Sequence, residues 1–302
     1  MEAIGRYLRK TYVDVDAGGP LITPERPVRR ETLVFSTAVA RTVLSAQCLL
    51  RGLYPAADQD ELDIFVQVPR SLDEDIITVN HWRCPRLRQI ALDQRSSYEV
   101  GLLSTSTRNR LRDIIGPSVD DLTMVMAGDS LRAYAGHGIP PPPGYSEELL
   151  RDIDTCGHGS VEAAVGGSQE VVRLSSGLLL ADMHRRITAA IEGHAPLRLM
   201  VRSGHDISIA QILLALGLPS HSWPAFASSI TVELLRDVAT QRHWVRVVFH
   251  DGVPEVVAAS VDITVPFEKW TEFVGPLLMV EEEYIEQCKL APGTPIPPRM
   301  FW

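Results

Sequence analysis

The sequence holds 302 residues, 45% of them hydrophobic and 22% charged, enough to bury a large core and sized between one big domain and two ordinary ones. Its formal net charge of −9 comes from acidic residues scattered along the chain, with only Glu281 to Glu283 forming a run. No basic footprint for nucleic acid or an anionic membrane results. The longest apolar stretch, Ile207 to Leu218, is interrupted by Ser208 and Gln211 and falls well short of the roughly 20 residues that span a bilayer.

Residues 2–13 read as an amphipathic helix, with Ile4, Leu8 and Tyr12 on one face and Arg6, Arg9 and Lys10 elsewhere. Those charges stand where a secretory signal needs an apolar run, so no export signal is expected in the sequence as written. A short apolar strand, Thr32 to Phe35, is followed by Ser36 and Thr37 as candidate N-caps. The helix after them carries Val39, Val43, Ala46 and Leu50 and ends near Gly52 and Pro55. Residues 56–196 give helical candidates at 84–97, 118–134, 146–155 and 170–193. Ser146 to Glu148 opens the third, since carboxylates favour the positive end of a helix dipole. The Ile139 to Pro143 run reads as a linker.

Leu197 to Val201 forms the next expected strand, and Ser203-Gly204 a tight turn. His205-Asp206 opens an almost wholly apolar helix that stops at Gly217-Leu-Pro219. Strands at 230–235, 245–249 and 255–260 and a final helix at 266–279 follow. The order implies an α/β fold: a mostly parallel sheet with helices on both faces, formed by residues 1–55 and 197–302, with 56–196 inserted as a mostly helical cap.

In such sheets ligands bind beyond the carboxyl ends of the strands. Arg41 in the first turn after the 32–35 strand, and His205-Asp206 after the 197–201 strand, converge if those strands are neighbours. A guanidinium and a helix N-terminus suit a phosphate group, and an aspartate beside them can protonate a leaving oxygen. On residue type alone, an Asp in a first helical turn is more often a cap, and a His at a helix start more often structural.

Motif resemblance adds to this reading. Phe35 to Gln47, read as Phe-Ser-Thr-Ala-Val-Ala-Arg-Thr-Val-Leu-Ser-Ala-Gln, with Gly52 to Pro55, resembles the S-T-D-x-D-R-T-x-x-S-A and L-Y-P segments of the histidine acid phosphatases. Ser203 to Asp206 with the helix to Gly217 resembles that family's S-A-H-D motif. Gly5 to Tyr12, Arg83 to Arg86, and Ala227 to Leu234 match further family segments in order. The resemblance implies that Arg41 and His205 hold the phosphate and that Asp206 is the general acid. The implied reaction is hydrolysis of a phosphate monoester through a phosphohistidine, without metal or cofactor. It also implies a disulfide between Cys84 and Cys288. A second family bridge is lost at both partners, Ala135 and Ser229, leaving Cys48 and Cys156 as expected free thiols.

The family nucleophile is the histidine of R-H-G-x-R-x-P on its first strand. None of the nine histidines here follows an arginine and precedes a glycine, and Ala38 and Ala40 replace both aspartates of S-T-D-x-D-R. The expectation is therefore an N-terminally truncated member with the first strand missing, inactive as an isolated chain. The sequence leaves open whether it is a fragment of a longer acid phosphatase, a non-catalytic paralogue binding a phosphate ester, inorganic phosphate or a protein, or an unrelated α/β binding protein. Oligomeric state is not readable from it. The family is usually secretory or endolysosomal.

Overall fold

The structure is a computed structural model that describes residues 1–15, 18–63, 65–102, 105–116, 124–194, 196–218 and 223–297. Helix α1 (Glu2–Tyr12) opens the chain, followed by β1 (Thr32–Ser36), α2 (Ala40–Leu53), α3 (Gln59–Asp63) and β2 (Val66–Gln67). Helices α4 (Pro85–Leu102), α5 (Thr105–Ile115), α6 (Met124–Gly136), α7 (Glu147–Gly166) and α8 (Gln169–Ile191) come next. Then follow β3 (Leu199–Ser203), α9 (Asp206–Ala215), β4 (Ser229–Arg236), β5 (His243–His250), β6 (Val261–Pro266), α10 (Phe267–Val274) and α11 (Glu281–Gln287).

The expected parallel sheet is present, in the order β2-β1-β3. Beside it stands an antiparallel sheet, β4-β5-β6. Both sheets lie between the same helices. Leu199 and Val201 of β3 pack with Ile4 and Leu8 of α1 and Leu50 and Leu53 of α2, whereas Arg202, on the opposite face, pairs with Asp182 of α8. In β5 the alternation repeats. Val245 and Val247 pack with Leu180 of α8 and Ile212 of α9, while His250, on the opposite face, is buried against Tyr7 of α1 at 5.4 Å between ring centres. Tyr12 of α1 hydrogen-bonds Glu233 of β4, whose other oxygen accepts from Arg246 of β5 at 3.3 Å.

Helices α1 and α2 cross closely because both carry glycine at the contact. A Cβ on Gly5 would lie 2.0 Å from the Leu49 carbonyl oxygen, and one on Gly52 would lie 2.1 Å from the Glu2 carbonyl oxygen. Only hydrogen fits there.

Several expected boundaries move. The third C-terminal strand was expected at 255–260, but it lies at Val261–Pro266, where polar and apolar residues alternate; Val256 is instead 82% exposed in the preceding turn. The helix expected at 266–279 ends at Val274, because Gly275-Pro276 cannot continue it and a 3-10 turn follows. Helices α5 and α11 were not expected. The first exposes a largely polar sequence and buries only Thr107 and Leu111; the second places Glu281 to Glu283 in its first turn, at the positive end of its dipole. Part of the 118–134 candidate lies outside the described residues, and its remainder is α6. Ser146 caps α7 as expected, accepting from the Leu149 N–H.

Within 56–196, β2 pairs with β1, and α8 packs on β5 and pairs with β3 through Asp182 and Arg202. Leu111, Met124, Ala127, Leu131, Leu149, Ile153 and Cys156 of α5, α6 and α7 form a separate apolar cluster. Cys84 and Cys288 are disulfide-bonded across 204 positions of sequence. Closing a loop of that length removes about 5 kcal/mol of unfolded-state entropy in the chain-entropy limit. Arg83 lies over the Tyr284 ring at 4.9 Å and pairs with Glu281, clasping α11 at the same place. Cys156 is buried and Cys48 partly buried, and neither is disulfide-bonded.

Substituting Gly52→Ala is expected to lower unfolding stability by about 2 kcal/mol or more, since backbone on both helices must part. Urea denaturation measures it; an unchanged midpoint contradicts the close crossing.

Candidate active site

Strands β1 and β3 pair in parallel from Thr32 opposite Leu199 to Ser36 opposite Ser203, so both end at the same level. The ladder runs one step further, with the Thr37 N–H donating to the Ser203 carbonyl at 3.1 Å. The Ser203 hydroxyl then donates to the Thr42 carbonyl at 2.7 Å, tying the end of β3 to the first turn of α2. Beyond β3, Gly204 leaves no room for a side chain, since a Cβ would come within 2.8 Å of Ile77 Cγ2 and 2.7 Å of Ser208 Oγ. His205 is the N-cap of α9, and its own N–H donates to Ser208 Oγ at 3.1 Å.

Arg41 and His205, 164 residues apart in sequence, meet at this edge: Arg41 Nη2 lies 3.2 Å from His205 Nδ1. The other ring nitrogen, Nε2, lies 3.0 Å from Thr37 Oγ1. Arg41 is exposed and His205 half-buried. Burial, with the Arg41 guanidinium second, pulls the His205 pKa below its ordinary value, while Asp206 works in the opposite direction. Asp206 sits next to His205, and both of its carboxylate oxygens are engaged. Oδ1 accepts from the Ile207 N–H at 2.8 Å, and Oδ2 accepts from Trp223 Nε1–H at 2.6 Å.

Sequence reasoning therefore found Arg41, His205 and Asp206 at one strand edge, and missed Thr37, Thr42 and Trp223. Ser36 and Thr37 are not the N-caps expected of them. Val39 takes that position without a side-chain bond, and the Thr37 hydroxyl faces His205 instead. Trp223 stands in a stretch of sequence with no periodic pattern, so nothing in the chain order pointed to Asp206. Among the described residues, no cluster of three or more His, Cys, Asp or Glu could hold a metal ion. No described helix is long and apolar enough to cross a membrane.

A family model described as histidine phosphatase superfamily (branch 2) matches residues 1–250. The chain belongs to this superfamily. Among its superfamily relatives, lysophosphatidic acid phosphatase type 6 of Pongo abelii is 25% identical over 298 residues, covering 95% of this chain and 67% of the relative. The Homo sapiens protein of that name is 24% identical with the same coverage. Testicular acid phosphatase of Mus musculus is 26% identical over 243 residues, covering 76% of this chain and 56% of the relative. The chain thus spans about two thirds or less of the length of these proteins. Among solved structures, the apo phytase of Hafnia alvei superposes with a TM-score of 0.67 at 10% identity, covering 96% of this chain and 87% of that one. The phytase of Klebsiella sp ASR1 superposes with a TM-score of 0.62 at 14% identity, covering 98% and 88%. Those likenesses show the shared α/β fold. The superfamily's acid phosphatase members make phosphomonoester hydrolysis the family chemistry.

A histidine NMR titration is expected to find His205 neutral at pH 6.5, with its midpoint below the ordinary imidazole value. Arg41→Ala raises that midpoint only part of the way, because burial, the larger cause, remains. A wild-type midpoint above 6.5 contradicts the assignment of causes.

Proposed function

We propose that this strand edge is a phosphate-monoester site in which Arg41 and His205 hold the phosphate group and Asp206 faces the leaving oxygen. The contact between Arg41 Nη2 and His205 Nδ1 carries the reading, since it joins two motif residues from separate halves of the chain at 3.2 Å. A guanidinium offers paired N–H donors to phosphate, and the N-terminus of α9 adds backbone donors. Trp223 and the Ile207 N–H hold the Asp206 carboxylate at the rim.

The family reaction forms a P–N bond at a histidine while the P–O bond to the alcohol breaks and the alcohol takes a proton. His205 is committed to Thr37 and Arg41, and no histidine in the sequence stands in an Arg-His-Gly context. On this reading the 302 residues bind phosphate esters but do not turn them over. Exposed Ala38 and Ala40 favour binding over catalysis as well, because no carboxylate at those positions orients Arg41.

The strand edges fit the same proposal. Among the described residues β3 pairs only with β1, and β4 only with β5, although the same helices cover both sheets. Unpaired strand edges between shared helix layers suit one further strand, the position the family gives to its nucleophile segment. The inserted cap is, on this reading, the α5–α7 cluster rather than all of 56–196. The names of the relatives make lysophosphatidic acid the first ester to test.

Calorimetry with inorganic phosphate at pH 6 is expected to show binding that Arg41→Ala weakens at least tenfold, roughly the loss of one charge-assisted bond. Hydrolysis of an aryl phosphate or of lysophosphatidic acid is expected at background. A robust rate abolished by Asp206→Ala contradicts the non-catalytic reading, and absence of phosphate binding contradicts the site.

A further inference from the structure

Thr37 is 1% exposed and Thr42 3% exposed, and their hydroxyls lie 2.7 Å apart. The Thr42 hydroxyl also lies 2.8 Å from the Val39 carbonyl oxygen and 3.1 Å from that of Thr37. A carbonyl only accepts, so the single proton of Thr42 goes to a carbonyl and its oxygen is left to accept from Thr37. With its own proton committed to Thr42, Thr37 Oγ1 accepts from His205 Nε2, 3.0 Å away. The opposite side of the ring gives the same answer independently. Arg41 Nη2 is a donor only and lies 3.2 Å from Nδ1, so Nδ1 is the acceptor there. Both ends of the chain of bonds put the proton on Nε2 and leave Nδ1 bare.

We infer that Thr37, backed by Thr42, is a positioning residue that fixes His205 as its Nε2–H tautomer and turns a bare Nδ1 toward the anion site, so that an oxyanion binds there together with one proton. The inference rests on the phosphate-site reading above for the identity of the ligand. A dianion oxygen and a bare imidazole nitrogen are both acceptors and do not bond until a proton lies between them. That proton comes from solvent and makes His205 an imidazolium; no covalent bond forms or breaks. The charged groups facing the ring are Arg41 from α2, which opposes this protonation, and Asp206 beside it on α9, which favours it. Thr37, from the loop between β1 and α2, is neutral. The bound anion lies against both cations and offsets their repulsion.

Inorganic sulfate is the probe, because it stays a dianion throughout the range and cannot carry the proton itself. With the whole 302-residue chain, sulfate affinity is expected to rise about tenfold for each unit of pH lowered from 8 to 6.5, with one proton taken up per sulfate. A histidine 15N spectrum of the free protein is expected to show the proton on Nε2 of His205. In Thr37→Val the tautomer is released, the ring presents Nδ1–H to the anion, and the dependence falls below about twofold per pH unit. Thr37→Ser keeps the hydroxyl and restores the wild-type slope. A pH-independent wild-type affinity, a proton on Nδ1 of His205, or an unchanged slope in Thr37→Val overturns the inference. Should Thr37→Val not fold, the wild-type spectrum and the Thr37→Ser slope decide. If wild-type protein binds neither sulfate nor phosphate, the phosphate-site reading fails, while the spectrum still tests the role of Thr37.

Discussion

The parallel pairing of β1 with β3 is the constraint on which the site depends. In register from Thr32–Leu199 to Ser36–Ser203, it brings two chain segments more than 160 residues apart to a common end. One more backbone bond, from Thr37 to Ser203, and the Ser203 hydroxyl to the Thr42 carbonyl lock the loops leaving that end. A slip of one residue reverses the faces of β3. Arg202 then leaves Asp182 and meets the apolar layer of α1 and α2, while Val201 is set against a partly buried carboxylate.

From that register follows the chemistry of the edge. Arg41 and His205 would repel each other if both were charged, and burial together with the guanidinium 3.2 Å away lowers the imidazole pKa. On the proposed reading, a phosphate group supplies the negative charge that this pair lacks. Asp206, held by Trp223, stands at the rim of the same edge.

Much of this was legible in the chain because local patterns reported it. The apolar face of residues 2–13 became α1, and the strand-turn-helix signal at 197–216 became β3, Gly204 and α9. Resemblance at Arg41 and at His205-Asp206 singled out residues that the fold brings to one strand edge. The Cys84–Cys288 bond also followed from resemblance, not spacing. What escaped was set by partners distant in sequence. Thr37 looked like a helix cap because capping is what a threonine before a helix usually does; its actual partner lies 168 residues away. The antiparallel second sheet was hidden for a similar reason, since strand spacing does not reveal which edges pair. Helix α5 has too few apolar residues to show a period, and β6 was displaced by an apolar pair, Val256-Val257, that lies in a turn.

The most direct test is a crystal of the chain soaked in vanadate or tungstate. The account predicts an oxyanion bonded to Arg41 and within reach of His205 Nδ1, at the ends of β1 and β3. Density that settles elsewhere, or a refined structure in which those two side chains lie on different sides of the sheet, contradicts it.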